Sequence, residues 1–110
     1  VFPHWGWEHE KIASKEQQRV AHLMIDSGAD IVVGGHPHVT QNIETYKNKY
    51  IFYSLGNFIF NGFEGIDATT GWALELDLNQ NLSVKWQLHE AKLNSIGIPK
   101  NNGVILTSPK

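Results

Sequence analysis

The chain contains no cysteine in its 110 residues. A disulfide framework and a thiolate metal site are both excluded, so any metal must rest on His, Asp, Glu or Asn. It also lacks a charge surplus: 9 basic residues stand against 11 acidic ones, a net charge of -2. Without a basic excess to displace counterions from a phosphate backbone, nucleic acid is not an expected partner. No run of 18 apolar residues occurs, and no charged region followed by an apolar core precedes Val1. These residues are therefore expected to hold neither a membrane span nor a signal peptide. Internal repeats and low-complexity tracts are absent as well. What is present, 41% hydrophobic and 18% charged residues, suits a single compact core, and the six histidines are an unusually high count for that size.

The order of elements follows from periodicity and turn chemistry. Val1-Phe2 leads into His4-Trp5-Gly6 and reads as the end of a strand. Ser14-Lys15-Glu16-Gln17 forms a capping box that opens a helix. Val20, Ala21, Leu23, Met24 and Ile25 are its expected buried stripe, with Lys15, Arg19, His22 and Asp26 opposite and Gly28 as the left-handed stop. Ile31-Val32-Val33 is apolar at every position, as in a strand covered on both faces, and a helix feeding such a strand indicates α/β layering.

Downstream, 39–46 and 50–55 are β-rich around a Lys47-Asn48-Lys49 tip, and 61–71 reads as a surface loop. A second hairpin is expected where Trp72, Leu74, Leu76 and Leu78 alternate with polar residues and, after Asn79-Gln80-Asn81, Leu82, Val84, Trp86 and Leu88 do the same. The tail from Asn94, with Pro99, Pro109 and the short Val104-Ile105-Leu106 run, reads as loop with one edge strand. The fold class is thus α/β (α+β): one main helix, a mixed sheet and two β-hairpins.

Chemistry is expected where the buried strand runs straight into Gly34-Gly35-His36-Pro37-His38, since open α/β sheets collect ligands at the carboxyl ends of their strands. Pro37 fixes its own φ and pushes His36 out of the α region, while the paired glycines let the backbone turn and approach a ligand closely. Two readings stand for this loop: a surface turn that happens to hold two histidines, or imidazoles serving one metal or two adjacent ones. His4 is a third imidazole at a strand end, and three such rings favour zinc, manganese or iron over magnesium or calcium. Glu8, His9 and Glu10 follow on the same loop and are either solvated residues or part of the site. His22 and His89 fall on polar faces and read as ordinary solvated surface.

The stretches His4-Trp5-Gly6-Trp7-Glu8, Ala21 through Val39 with Gly34-Gly35-His36-Pro37-His38, and Tyr53-Ser54-Leu55-Gly56-Asn57-Phe58-Ile59-Phe60 resemble the bacterial CapA family of poly-γ-glutamate capsule synthesis proteins. The resemblance covers residues 1 to about 92, leaving 93–110 as a tail. It implies the calcineurin-like metallophosphoesterase fold, a two-sheet sandwich flanked by helices with two metals at the strand ends. Of the five ordered motifs of that superfamily only the last two are matched, the lone histidine at His4 and Gly-His-x-His at Gly35-His36-Pro37-His38. The chain then corresponds to a single partial domain over 1–110, the C-terminal half of such a sandwich.

By the same resemblance His4 and His36 would ligate one metal and His38 the other, the two ions being Mn, Zn or Fe. Glu8 and His9 are the catalytic candidates on this loop; Glu8 would either orient an imidazole or contact substrate. His9 stands where the family commonly has an aromatic residue. The implied function is a metal-dependent phosphoesterase-like activity in capsule or poly-γ-glutamate synthesis. A non-catalytic role in binding or assembling an envelope polymer is the alternative. Implied partners are an anionic polymer or phosphoester substrate and other capsule synthesis proteins; implied location is the cell envelope or exterior, membrane-anchored. The 110 residues alone are expected to be inactive. They are also expected to self-associate, because the apolar faces of 31–33 and of the strand ending at His4 call for cover that this half does not supply.

Overall fold

The computed structural model describes residues 1–81 and 83–109. Helix α1 (Lys15–Asp26) opens as its sequence requires. Gln17 N–H donates to the Ser14 hydroxyl at 3.1 Å, and Ser14 N–H donates to Gln17 Oε1 at 2.9 Å, so two of the orphan donors of the first turn are satisfied reciprocally. The helix closes in a Schellman arrangement, with Ala29 N–H on Met24 O and Gly28 N–H on Ile25 O, both at 3.0 Å, and Gly28 at φ 113°. Ser14→Ala is expected to lower the unfolding free energy by about 1 kcal/mol in a urea titration, with Ser14→Gly costing only a few tenths.

Gln17 also ties the helix to the rest of the molecule. Its Nε2 donates to Gln41 Oε1 at 2.9 Å, and Gln41 Nε2 donates to Glu10 O at 2.8 Å. Both glutamines are buried, and this relay uses their amide groups without leaving a polar atom unmatched.

Two three-stranded sheets follow. In the first, β1 (Ile31–Val33) runs parallel to β3 (Lys49–Phe52), and β2 (Ile43–Tyr46) pairs antiparallel with β3, giving the order β1-β3-β2. The β2–β3 turn is only Lys47-Asn48, with φ 49° and 62°. Two positive values define a type I′ turn, whose twist matches that of the flanking strands; Lys49, expected at the tip, lies in β3. The second sheet is antiparallel in the order β4-β5-β6, from β4 (Thr70–Leu78), β5 (Val84–Leu93) and β6 (Pro99–Thr107).

The first sheet is covered on both faces. Val32, Ile51 and Tyr53 pack with Ala21 and Ile25 of α1, while Val33 and Phe52 pack with Trp86 and Leu88 of β5. Successive residues Val32 and Val33 therefore serve two cores, which is why the β1 run shows no polar alternation. The Trp86 ring meets Phe52 edge-on at 5.1 Å and Tyr50 at 5.5 Å. Its buried Nε1–H finds no hydrogen-bond acceptor among the described residues.

Several expectations change in three dimensions. Within α1 the buried residues are Gln17, Ala21 and Ile25, whereas Leu23 is 57% exposed; the strip facing the sheet is narrower than the apolar set. His22 is not plain solvated surface. It is half-buried, stacked on Tyr46 at 4.0 Å, and its Nε2 lies 2.9 Å from both Glu44 oxygens. Tyr53 donates to the same Glu44 at 2.6 Å, and burial followed by that carboxylate pushes the phenol well above its ordinary range. His89 is likewise half-buried and pairs with Glu75 at 2.9 Å. The 61–71 loop ends two residues early, because β4 takes Thr70 and Gly71. In the tail the edge strand extends over nine residues and its register slips twice against β5. Leu82 of the expected second hairpin lies outside the described residues.

Candidate metal centre

Residues 1–5 run alongside β1 in a parallel sense: Val33 N–H donates to Val1 O at 2.9 Å, Gly35 N–H to Pro3 O at 3.1 Å and Trp5 N–H to Gly35 O at 3.1 Å. His4 is bridged to Gly35. Three parallel segments, 1–5, β1 and β3, thus end on the same side of the first sheet, and the chain leaving each carries a polar residue: His4, then His36 and His38, then Asn57. This is the edge where an open α/β sheet binds its ligands.

The close approach of these segments depends on Gly34. A Cβ there would lie 2.2 Å from Tyr53 O and 2.3 Å from Trp5 Nε1. That indole N–H donates to the same Tyr53 carbonyl at 2.9 Å, so the Trp5 side chain lies over Gly34, the residue after β1, and stacks on Tyr53.

The His4 and His36 rings come to 4.6 Å between centroids, and His36 to His38 is 5.8 Å. Zinc–nitrogen bonds of about 2.0–2.1 Å set two tetrahedral donors about 3.3 Å apart, a separation that rings as close as His4 and His36 can present. Imidazole donors suit a transition metal. Among the described residues no group of three or more His, Cys, Asp or Glu side chains stands in metal-holding geometry; of the two imidazole contacts at this edge, His4–His36 is the closer.

Backbone strain is concentrated here. Among the described residues five other than glycine have positive φ; two form the Lys47-Asn48 turn and the other three are His9 (65°), His36 (105°) and His38 (62°). Such conformations cost about 1–3 kcal/mol each and persist where the surroundings over-determine them. At His9 the surroundings are visible: its N–H donates to Pro37 O at 2.7 Å, and its ring lies 6.0 Å from Phe63.

The expected site residues separate accordingly. His4 and His36 are adjacent, and His38 stands one ring further on, stacked on Phe63 at 4.7 Å with Phe60 edge-on at 5.2 Å. Glu8 and His9 are exposed on the rim, and Glu10 contributes its backbone carbonyl to Gln41. Sequence reasoning missed Asn57, which is buried with Oδ1 2.8 Å from His38 Nδ1. The one signal for it is a polar residue interrupting the run from Leu55 to Phe60.

A family model described as bacterial capsule synthesis protein PGA_cap matches residues 1–62, and the chain belongs to that family. The matched span holds His4, His36, His38 and Asn57. Over 61 residues, 56% of this chain, it is 53% identical to the capsule biosynthesis protein CapA of Bacillus anthracis, covering 15% of that protein. It is 52% identical over 61 residues to the PGA biosynthesis protein CapA of Bacillus subtilis (strain 168), covering 16% of it. A probable polyglutamine synthesis accessory protein of Mycobacterium tuberculosis is 33% identical over 78 residues, 71% of this chain and 20% of that protein. The chain therefore spans only a small part of the length of these relatives.

Proposed function

We propose that this chain is the strand-end, imidazole-bearing part of a metal-dependent phosphoesterase-like domain that works in making a capsule or poly-γ-glutamate polymer. The observation that carries the chemistry is the convergence of His4 and His36 at adjacent parallel strand ends, 4.6 Å apart. The polymer is suggested by the names of the relatives, two CapA proteins and a polyglutamine synthesis accessory protein.

In this reading His4 and His36 hold one divalent ion of Mn, Zn or Fe, and His38 faces a second. Such ions polarise a phosphoryl oxygen and supply hydroxide at neutral pH when bound. The protein's part is placement: β1, buried on both faces, holds the Gly34–His38 loop still, and Glu8 and His9 on the exposed rim meet an incoming anionic substrate. Other capsule synthesis proteins are the proposed partners, at the cell envelope.

A chimera tests this, with the matched segment replacing its counterpart in the Bacillus subtilis relative. The chimera should hydrolyse a generic phosphodiester in a metal-dependent way and support polymer production. His36→Ala should reduce both at least tenfold, whereas Arg19→Ala on the exposed face of α1 should leave both unchanged. The absence of a three-donor group among the described residues favours a second reading, a polymer-binding or assembly component. Polymer production that survives His36→Ala in a chimera without hydrolytic activity would establish it over the first.

A further inference from the structure

Asn57 is fixed by more than its contact with His38. Its Nδ2 donates to His38 O at 3.2 Å and to Ala68 O at 2.8 Å. Both partners are carbonyls, which only accept, so this end of the side chain is the amide nitrogen and the other end is the oxygen. That oxygen lies 2.8 Å from His38 Nδ1. An amide oxygen cannot donate, so the proton of this bond belongs to the ring, and His38 is the Nδ1–H tautomer when neutral.

The clamp is reciprocal, since Asn57 grips both the ring and the backbone carbonyl of a residue held at φ 62°. The position of Asn57 is itself set by an isolated bridge between Gly56 and Gly71. A Cβ on Gly71 would fall 1.8 Å from Asn57 O, so only glycine lets β4 pass this close. Three segments, 38–39, 56–57 and 68–71, are thereby locked around one imidazole.

We infer that Asn57 is a positioning residue that holds His38 as its Nδ1–H tautomer and leaves Nε2 as the ring's one lone-pair nitrogen, the donor to metal. The tautomer stands on the hydrogen bonds alone; the role of Nε2 rests on the proposed metal centre. A ring free of Asn57 exchanges between both tautomers, and each molecule carrying Nε2–H has lost its ligand. Metal-ligating histidines are commonly fixed in this way by a partner on the other nitrogen, and losing that partner typically weakens metal binding about 10–100-fold.

The experiment uses the uniformly 15N-labelled chain without metal, at about pH 8.5, above the ordinary histidine range near 6.5. Long-range proton–nitrogen correlations should show His38 protonated at Nδ1 in the wild type. Asn57→Ala should give the mixed or Nε2–H pattern, while Asn57→Asp, which keeps an acceptor, should retain Nδ1–H. In zinc titrations Asn57→Ala should bind about 10–100-fold more weakly, and Asn57→Asp should stay within a few-fold of wild type. A wild-type His38 protonated at Nε2, or a tautomer unchanged in Asn57→Ala, overturns the assignment. If Asn57→Ala fails to fold, the wild-type spectrum still decides the tautomer. A fixed tautomer with zinc affinity unmoved by His38→Ala overturns the metal role and keeps the lock. An unfixed tautomer with zinc affinity lost in His38→Ala does the reverse.

Discussion

Gly34→Ala should leave the chain unfolded or loosely packed, while Gly35→Ala beside it should be neutral or slightly stabilising. At Gly34 the new methyl would sit 2.2 Å from the Tyr53 carbonyl oxygen and 2.3 Å from Trp5 Nε1. Neither can give way: the first is buried backbone directly after β3, and the second is hydrogen-bonded to that oxygen. Overpacking of about 1–3 kcal/mol adds to the loss of the Trp5–Tyr53 bond, whose buried groups cost about 1–3 kcal/mol when unpaired. The sum, about 2–6 kcal/mol, reaches the lower end of the stability of a small domain, about 5–15 kcal/mol. Gly35 has an open surrounding and no positive φ, so alanine there only reduces the freedom of the unfolded chain, a gain of about 0.4–1 kcal/mol. Urea unfolding of both variants, with amide dispersion in NMR spectra, measures the contrast. Equal stability would mean that the Trp5 side chain does not lie over Gly34 as described.

At His36 stability and binding should move in opposite directions. Glycine is normally the less stable replacement, by about 0.5–1 kcal/mol relative to alanine. With φ at 105° the order inverts, because alanine keeps a strain of about 1–3 kcal/mol that glycine removes. His36→Gly should therefore melt higher than His36→Ala by roughly 4 °C or more, taking about 1 kcal/mol as the net difference. Both should bind zinc at least tenfold more weakly than wild type, since each deletes one ring of the His4–His36 pair. Calorimetric melting and zinc titration give the two readouts. If His36→Ala melted higher, His36 would not be strained.

Local signals carried the legible part of the fold. The capping box, the Schellman stop at Gly28 and the unbroken apolar run of β1 are each set by neighbours in the chain, and all three stand in the structure. His4 and His36 are each legible as strand-end imidazoles, and the family resemblance is what pairs them. The pairing of His38 with Asn57 could not, since the partners are nineteen residues apart and meet only when β3 and β4 are assembled. His22 was misread for a related reason: helical periodicity puts it opposite the apolar stripe, but β2 brings Glu44 and Tyr46 over that side. The extent of β6 was hidden by Lys100-Asn101-Asn102-Gly103, poor strand formers that an edge with register slips accommodates.

The buried glutamine relay decides how the rim of the site behaves. The loop after His4 is tied down at Trp5 and His9 by backbone bonds to Gly35 and Pro37. At Glu10 it is held by Gln41, which in turn holds the Gln17 side chain that caps α1. Lifting Glu8 and His9 away would break the cap of the helix as well as the loop's own bonds. Loop and helix start therefore open together or not at all, and Glu8 and His9 form a fixed lip beside the strand-end histidines, not a hinged flap.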